Sequence, residues 1–451
     1  MQIQDCASSC LLCILIVFSS FCVYLLLFEW QKDETFNCTL EATSLEDVVR
    51  CVVDKMPQAF HPLPLKQPTE FDMLDWRKLV HELAQGNWMQ KQECPKILAS
   101  SFLYRYYAIV EFDKYCILLE KSQRNKQYSA LGWGTLIVKR GPRHSNSSNS
   151  GESVTGEQMK NGDATGEQVE NGHVTGELME NGDAIGEQVK KEHVTDEQVK
   201  SDHATGELMK SEQAISEQVK NGQPIGELVK NGRATVTDDV DLILQVPHPI
   251  TDGNVVLQAV SVLQLSRAAQ MLLISGTTRN ASDSASTCIP GTYLTDVAHN
   301  TGNLFHAATV QLFHSYRTRN AQMLALQLHG MAESSCPGVD VFLSSGIAAP
   351  ATLVEPSTLQ RFKQLLRVAA PQWNITSPGE EPACNLAGTT NVQGRFLNLA
   401  FRNDTVANVC THRASEVSDL FVHMEQKRAV RDSSQKSVVQ ALDSLLLTSK
   451  S

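Results

Sequence analysis

From residue 240 onward, short apolar runs of strand length alternate with longer stretches whose apolar residues follow a helical period. The runs at 241–247, 271–275, 322–328, 339–343 and 420–424 are predicted strands, and the stretches at 255–269, 304–316, 357–369 and 438–445 are predicted helices. Alternation of this kind is typical of a sheet whose faces are covered by helices. The sequence therefore predicts an α/β fold with a mainly parallel, helix-flanked sheet.

Residues 71–150 are predicted to form the N-terminal part of the same globular domain, and this upstream portion is β-rich. Apolar residues between Leu74 and Leu83 follow a helical period that Gly86 ends. Two strands are predicted within 102–119, and a third within 131–140. The α/β part that follows is predicted to span residues 236–451.

A low-complexity array separates these two portions of the predicted domain. Residues 151–230 are eight copies of a ten-residue unit without any aromatic residue. Its apolar positions recur every five residues, a period that fits neither a helix nor a strand. The array predicts a disordered insert over 151–235, joined to the domain through a hairpin of strands 134–138 and 242–246.

Outside this array, the charge of the chain gives little information about binding partners. The net charge of the chain is −11, and residues 151–230 alone carry 17 acidic and 7 basic side chains. The remainder is close to neutral and lacks the basic face of a nucleic-acid-binding protein. We therefore expect no nucleic-acid partner.

The N-terminus contains a candidate membrane span. Residues 11–28 are free of charge and long enough to cross a bilayer as a helix. The flanks lack the basic front and the small-residue cleavage site of a signal peptide. The sequence predicts a transmembrane signal anchor over 1–32 and a stalk over 33–70, with a cleaved signal peptide as the alternative.

Two features indicate that the C-terminal body faces the lumen or the cell exterior. Asn-x-Ser/Thr sequons occur at Asn37, Asn146, Asn280, Asn374 and Asn403. Eight cysteines lie beyond the apolar run, at positions 38, 51, 94, 116, 288, 336, 384 and 410. An even number of cysteines suits disulfide bonds in an oxidising compartment. We expect a single-pass membrane glycoprotein with disulfide bonds.

Four polar residues follow predicted strands directly: His248, Arg279, His329 and Glu425. If these strands are parallel, the four side chains reach the same edge of the sheet, where open α/β sheets bind ligands. Two histidines with a carboxylate are the ligands of a catalytic zinc ion. A separate carboxylate, Glu425, would then act as general base and acid.

Other polar residues are assigned with less support from strand ends. Asp296 and His299 precede a predicted helix and are alternative metal ligands, although Asp296 is equally well an N-cap. His423 is expected to point away from Glu425, to the other face of its strand. The remaining histidines at 306, 314 and 412 are expected to be ordinary surface or helix residues.

Several motifs occur in an order that resembles a known enzyme type. Pro247-His248-Pro249 is followed by Asp252, then by Arg279 after a strand, by Leu328-His329-Gly330, and by a late strand that ends in Glu425. This order resembles the N-formylglutamate amidohydrolase type of zinc hydrolase and, more distantly, zinc-dependent N-acetylmuramoyl-L-alanine amidases. The segment also resembles uncharacterised bacterial proteins that carry Pro-His-Pro, Asp-Val-Ala-His, Leu-His-Gly, Thr-Asn-Val-Gln-Gly-Arg and His-x-Glu-Gln blocks. The resemblance covers about residues 240–431. It departs from that type at Pro249, where a small residue is usual, and at Asn280, a sequon beside Arg279.

The resemblance implies roles for individual residues. It implies zinc binding by His248 and His329, with Asp252 as the third ligand and Glu425 as the catalytic carboxylate. Arg279 and Arg395 are the implied substrate-binding residues, since a guanidinium suits a substrate carboxylate. Whether Asp252, or Asp296 with His299, completes the metal coordination stays open at this stage.

The sequence thus predicts a membrane-anchored, zinc-dependent hydrolase that cleaves an amide or peptide-like bond near a carboxylate in a small substrate. One competing hypothesis is a catalytically silent surface or secreted protein that keeps the fold for binding. Another is a structural protein in which the acidic repeat array has the main role.

Overall fold

A computed structural model describes residues 37–60, 65–85, 94–95, 103, 106–121, 131–140, 240–348, 357–380, 382, 384–400 and 408–447. The chain divides into two units, and all described residues belong to the one formed by Met1–Pro142 and Val229–Ser451; the other unit, Arg143–Leu228, lies outside them. The predicted anchor at 1–32, the repeat insert and the sequons Asn146 and Asn403 also lie outside the described residues. Within the described ranges, no helix combines the length and hydropathy needed to cross a bilayer.

Nine strands form one sheet in the described part of the chain. They are β1 (Tyr107–Phe112), β2 (Tyr115–Glu120), β3 (Thr135–Lys139), β4 (Asp241–Val246), β5 (Ala269–Ile274), β6 (Met323–Gly330), β7 (Val341–Ser344), β8 (Ile375–Thr376) and β9 (Phe421–Gln426). Their spatial order is β1-β2-β3-β5-β4-β6-β9-β7-β8. The upstream β-rich portion is therefore one end of the same sheet.

The sheet is mixed, which corrects the prediction of a mainly parallel one. Strands β5, β4, β6 and β9 are parallel neighbours, whereas β1, β2 and β3 are antiparallel to their neighbours and β7 is antiparallel to β9. The alternation of strands and helices predicts the parallel centre correctly. The direction of the outer strands depends on short connections, such as the two-residue turn between β1 and β2, which forces antiparallel pairing.

The predicted hairpin on either side of the repeat array is wrong. Strand β3 pairs with β2 and β5, and β4 pairs with β5 and β6, so β5 lies between the two strands. The hydrophobic pattern shows that both strands are buried, but it does not specify their neighbours.

Helices cover both faces of the sheet. They are α1 (Asn37–Leu40), α2 (Leu45–Asp54), α3 (Glu70–Gln85), α4 (Val255–Leu265), α5 (Leu304–Thr318), α6 (Thr358–Ala369), α7 (Val392–Ala400), α8 (Arg428–Ser433) and α9 (Gln435–Leu446). Apolar residues of α2, α4, α6 and α9 pack on one face, and those of α3, α5 and α7 pack on the other. Helix α7 was not predicted, because its glycine and buried polar residues give it no clear apolar stripe.

Capping explains where two of these helices begin. Ser44 caps α2 and Ser357 caps α6, each with a reciprocal hydrogen bond from the third helical residue. In α6 the reciprocal bond comes from Gln360, and in α2 it comes from Asp47.

Disulfide bonds pair all eight cysteines beyond the apolar run. The pairs are Cys38–Cys51, Cys94–Cys116, Cys288–Cys410 and Cys336–Cys384. This pairing agrees with the prediction from the even count. Among the sequons in the described residues, Asn374 is exposed and Asn280 is half-buried, and glycosylation of each sequon stays a prediction.

Candidate metal centre

The site lies at the carboxyl edge of the parallel strands, on the sheet face that packs against α5 and α7. Strand register aligns Gln327 with His423, and His329 with Glu425, across β6 and β9. Side chains two residues apart share a face of a strand. All four of these side chains therefore lie on one face, and they form a polar patch in an otherwise apolar interior.

Three residues form what we call the first donor set: His248, Asp252 and His329. Their ligand atoms all lie within 4.8 Å of one another, and all three side chains are buried. His248 Nδ1 lies 3.5 Å and His329 Nδ1 lies 3.2 Å from the same oxygen, Asp252 Oδ2. Both imidazoles thus turn the same nitrogen towards one carboxylate oxygen.

The opposite nitrogen of each imidazole is held by an oxygen. His248 Nε2 lies 3.0 Å from Asp296 Oδ1, and His329 Nε2 lies 2.8 Å from Gln327 Oε1. The amide of Gln327 is fixed in turn, since Nε2 donates to Gln245 Oε1 and Oε1 accepts from Asn391. Hydrogen bonds of this kind orient metal-binding histidines and leave the other nitrogen unprotonated for coordination.

The charges in the set are strongly coupled. Burial disfavours the protonated form of His248. Asp252 and Asp296 outweigh this effect and raise the pKa of His248 to about 9. For Asp252, burial also opposes the charge, yet His248 and His329 hold the pKa of the carboxyl well below its usual range. Burial lowers the pKa of His329 to about 4. Asp252 is therefore an anion between two imidazoles of different basicity.

The backbone is shaped so that Asp252 can approach β6. The amide of Gly330 donates to Asp252 Oδ2 at 3.1 Å. A Cβ at position 330 would lie only 2.5 Å from the Asp252 carbonyl and 2.7 Å from Arg431 Nη1. Glycine is required here by close approach, which gives the Leu-His-Gly motif a physical reason.

Glu425 lies beside this set and has an unusual acidity. The side chain is largely buried, and burial raises the pKa of its carboxyl to about 7, with the negative charge of Asp252 acting in the same direction. A carboxyl with a pKa near neutrality exchanges protons readily at physiological pH. Its position and acidity suit a general base.

His423 belongs to the site, and the prediction that it points away from Glu425 is wrong. Residues two apart in a strand point to the same face, so the prediction misapplied the strand period. His423 Nε2 lies 3.8 Å from Glu425 Oε1, and its ring centroid lies 4.5 Å from that of His329. The ligand atoms of His329, His423 and Glu425, which we call the second donor set, also lie within 4.8 Å of one another.

The alternative ligands Asp296 and His299 lie behind His248. Asp296 Oδ1 faces His248 Nε2, on the opposite side of the ring from Asp252, and Asp296 Oδ2 lies 3.0 Å from His299 Nδ1. His299 Nε2 is 3.1 Å from Thr390 Oγ1. These contacts make Asp296 an orienting partner for His248 and leave the first donor set with Asp252 as its carboxylate.

The two predicted substrate-binding arginines differ in their surroundings. Arg279 Nη2 lies 2.9 Å from Asp252 Oδ1 and 3.0 Å from His248 Nδ1, and the Arg279 side chain is 39% exposed. Arg395 is 3% exposed and donates to the carbonyls of Thr389, Val409 and Cys410. Nε and Nη1 of Arg395 therefore brace a disulfide-bonded loop, and a role of Arg395 in substrate binding stays a prediction.

Arg431 is a site residue that sequence reasoning missed. It follows β9, and its Nη1 donates to the Gln426 carbonyl next to Glu425. Its nearness to Asp252 depends on the bare backbone at Gly330 and Gly253. No local pattern in the sequence signals that contact.

The donors fit a divalent metal ion. Two imidazoles that can be neutral and one carboxylate are a common set of ligands for catalytic zinc. Histidines in such sites have an oxygen partner on the other ring nitrogen, as both Nε2 atoms have here. The soft thiolates that would favour other metals are all tied up in disulfides within the described part of the chain.

Comparison with known proteins gives weak similarities. No protein-family model and no curated protein matches the chain. Solved structures with partial similarity include the gene product Atu2144 from Agrobacterium tumefaciens, at 11% identity over 46% of this chain and 88% of that chain, with a TM-score of 0.28. A metallo-carboxypeptidase from Burkholderia cenocepacia has 7% identity over 48% of this chain and 57% of that chain, with a TM-score of 0.26. A bacteriophage poly-gamma-glutamate hydrolase has 11% identity over 49% of this chain and 95% of that chain, with a TM-score of 0.24. TM-scores of this size identify no family, so the functional argument rests on the side chains.

Proposed function

We propose that this protein is a metal-dependent hydrolase in which His248, Asp252 and His329 hold a zinc ion. The observation that carries the proposal is the shared orientation of the two imidazoles. Both direct Nδ1 to Asp252 Oδ2, while Asp296 and Gln327 hold the Nε2 atoms. In this arrangement two imidazole nitrogens and one carboxylate face a single position, and a cation bound there would displace the proton that His248, with its pKa of about 9, holds at neutral pH.

The reaction we propose is hydrolysis of an amide or peptide-like bond. A bound zinc ion would supply Lewis acidity to water and to the substrate carbonyl. Glu425, with its pKa of about 7, accepts a proton from the attacking water and returns it to the leaving nitrogen.

The substrate class follows from Arg279. Its guanidinium is the exposed cation next to the first donor set, and a planar guanidinium binds a carboxylate through paired hydrogen bonds. We therefore propose a small substrate with a carboxylate close to the scissile amide. The predicted contribution of Arg395 stays a prediction, with its Nε and Nη1 already donating to backbone carbonyls.

The catalytically silent alternative also has an observation in its favour. Arg279 Nη2 makes hydrogen bonds to His248 Nδ1 and Asp252 Oδ1, two of the three donors proposed for the metal. A guanidinium that stayed there would neutralise Asp252 without any metal. Under this alternative the fold would bind a carboxylate ligand without hydrolysis.

The cellular setting is part of the proposal. The uncharged run at 11–28 would anchor the chain in a membrane, with the domain on the lumenal or extracellular side. The four disulfide bonds support an oxidising compartment. Treatment of cell-surface protein with a glycosidase, followed by mapping of Asn374, tests this topology, because a cytosolic domain carries no glycan there.

The test of function compares the full chain with a variant carrying both His248→Ala and His329→Ala. We expect the wild type to contain zinc and to release amine from an N-acyl amino acid panel, and the variant to do neither. Zinc in the wild type but not in the variant, with no hydrolysis of any panel member, would contradict the hydrolase and leave the metal site intact. Equal and negligible zinc in both proteins would contradict the metal site itself and support the silent alternative.

A further inference from the structure

The second donor set lies directly beside the first and shares one residue with it. His329, His423 and Glu425 place their ligand atoms within 4.8 Å of one another. His423 and Glu425 come from β9, and His329 comes from the parallel neighbour β6. The set is therefore built on two paired strands at the centre of the sheet, where the backbone is held by a hydrogen-bond ladder.

His423 lacks the partners that a buried imidazole normally has. Its side chain belongs to a residue that is 4% exposed, and no described residue forms a hydrogen bond with the buried Nδ1. Nε2 lies 3.8 Å from Glu425 Oε1, which is beyond hydrogen-bond distance. A nitrogen of this ring lies within 4.8 Å of the ligand atoms of His329 and Glu425, so it can bind a cation without breaking a hydrogen bond to either residue.

The loop opposite β9 is shaped around the His423 ring. Gly388 has φ +64°, and a Cβ at this position would lie 3.2 Å from three atoms of the imidazole. The glycine is required both by its left-handed backbone and by the closeness of the ring. The position of the imidazole is thus fixed from the strand side and from the loop side.

An unpartnered histidine alone does not make a site, as His306 demonstrates. His306 is also buried, and its Nδ1 also lacks a hydrogen-bond partner. Its ring packs edge-on against Phe396, at a centroid distance of 5.9 Å, and it belongs to no group of ligand atoms among the described residues. His423 differs because an imidazole and a carboxylate are within reach.

We propose that His329, His423 and Glu425 form a second divalent-cation position, adjacent to the first donor set and sharing His329 with it. Two imidazoles and one carboxylate suit zinc and cobalt in particular. The inference rests on the proposed function only in that His329 belongs to both positions. Glu425 can serve both, since one carboxylate oxygen can face this position while the other exchanges a proton.

The sharing of His329 gives a specific expectation. Removal of His248 disables the first set and leaves the second set complete. A cation should then stay bound, more weakly, until His423 is also removed. If the first set were the only one, loss of His248 would already abolish binding and His423 would have no effect.

The experiment measures affinity for Zn²⁺ alone and Co²⁺ alone, by competition with a chelator, on the metal-stripped full chain. The proteins are the wild type, His248→Ala, His423→Phe, and the double variant His248→Ala with His423→Phe. His306→Phe is the matched control, because it makes the same change at a buried histidine outside both sets. We expect His248→Ala to retain one cation and the double variant to bind it more than about 100-fold more weakly, a larger loss than removal of an orienting residue causes.

Three results separate the possible conclusions. No cation on His248→Ala, or equal affinity of His248→Ala and the double variant, overturns the second position and leaves the proposed function intact. Cation binding by His248→Ala, together with a wild type that hydrolyses no substrate of the panel, overturns the proposed function and supports the second position. If the phenylalanine variants do not fold, as judged by circular dichroism, His423→Gln replaces His423→Phe in the His248→Ala background, and an affinity equal to that of His248→Ala alone overturns the inference.

Discussion

The two donor sets share His329 and differ in how their members are held. In the first set, each imidazole has an oxygen partner on the nitrogen that faces away from Asp252, and Asp252 itself accepts from Arg279 and Gly330. In the second set, the His423 ring is held by packing, and Glu425 has no hydrogen bond to it. Hydrogen bonds orient the imidazoles of the first set before any ligand binds. In the second set, packing fixes the position of the His423 ring, but no hydrogen bond to Glu425 orients it.

This difference teaches that burial alone does not define a metal site. The His423 ring is as buried as those of His248 and His329, but only the latter two have an oxygen partner on Nε2 at hydrogen-bond distance among the described residues. We therefore expect the first set to bind more tightly, and the variants below should affect the two sets unequally.

The largest effect is expected for Asp252→Ala. This change removes the anion shared by His248, His329 and Arg279 and leaves buried donors unpaired, which typically costs about 3–5 kcal/mol. Urea unfolding of the metal-free chain should show that loss, and zinc binding at the first set should disappear. The exposed Asp432, which accepts from Asn254, is the control: Asp432→Ala should change the free energy of unfolding by at most about 0.5 kcal/mol. A similarly small change for Asp252→Ala would contradict the buried ion-pair network.

Glu425→Gln should separate catalysis from binding at the first set. Glutamine keeps the size of the side chain and cannot accept the proton, so turnover should fall by about 10²–10⁴-fold. Zinc affinity of the first set should be retained, since Glu425 is not one of its members. Steady-state hydrolysis and chelator competition measure the two effects. Glu333→Gln, at an exposed glutamate next to Lys427, is the control and should change neither turnover nor zinc affinity. Turnover at the wild-type rate in Glu425→Gln would refute the assigned role.

Asp296→Asn tests whether the first set depends on orientation of His248. The carboxylate faces His248 Nε2 at 3.0 Å, and loss of an orienting partner lowers metal affinity by about 10–100-fold. The second set has no contact with Asp296, so residual binding in a His248→Ala background should not change further. Zinc affinities of the single and combined variants provide the measurement. An unaltered affinity in Asp296→Asn would mean that the first set needs no such partner.

The smallest effect concerns His306, the buried histidine outside both sets. Burial lowers its pKa to about 4, so between that pH and 6.5 the unfolded chain binds a proton that the folded chain does not. The contribution of the neutral His306 ring to the free energy of unfolding is fully present above pH 6.5 and is lost as the pH falls. His306→Phe should therefore gain up to about 2 kcal/mol over the wild type at pH 5, relative to pH 8. Urea unfolding at the two pH values gives this difference, and parallel pH profiles for both proteins would exclude a neutral buried ring.

The parallel centre of the sheet and its ligand-binding edge were predictable from local sequence. Uninterrupted apolar runs predict buried strands, and the residues that follow them, such as His248 and Arg279, reach one edge because the strands are parallel. His423 was equally accessible to prediction, since its spacing from Glu425 places both on one face. The prediction for His423 was wrong because the two-residue period of a strand was misapplied, although the sequence contained the needed spacing.

Other features had no local signal. Arg395 Nε and Nη1 donate to the carbonyls of Thr389, Val409 and Cys410. Arg431 lies beside Asp252 at Gly330, where a Cβ would be 2.7 Å from Arg431 Nη1. Neither set of contacts follows from a local pattern in the sequence.

The sequence by itself determined the α/β class, the four strand ends that carry the polar residues, and the even number of cysteines available for disulfides. Those properties follow from apolar period and composition, which act along the chain. Only the tertiary structure decided between Asp252 and Asp296 as the partner of the two histidines, and it placed β5 between the strands on either side of the repeat array. The reason is geometric: which nitrogen of His248 faces which carboxylate depends on the relative placement of β4, β6 and the turn before α5, and no local pattern encodes that placement.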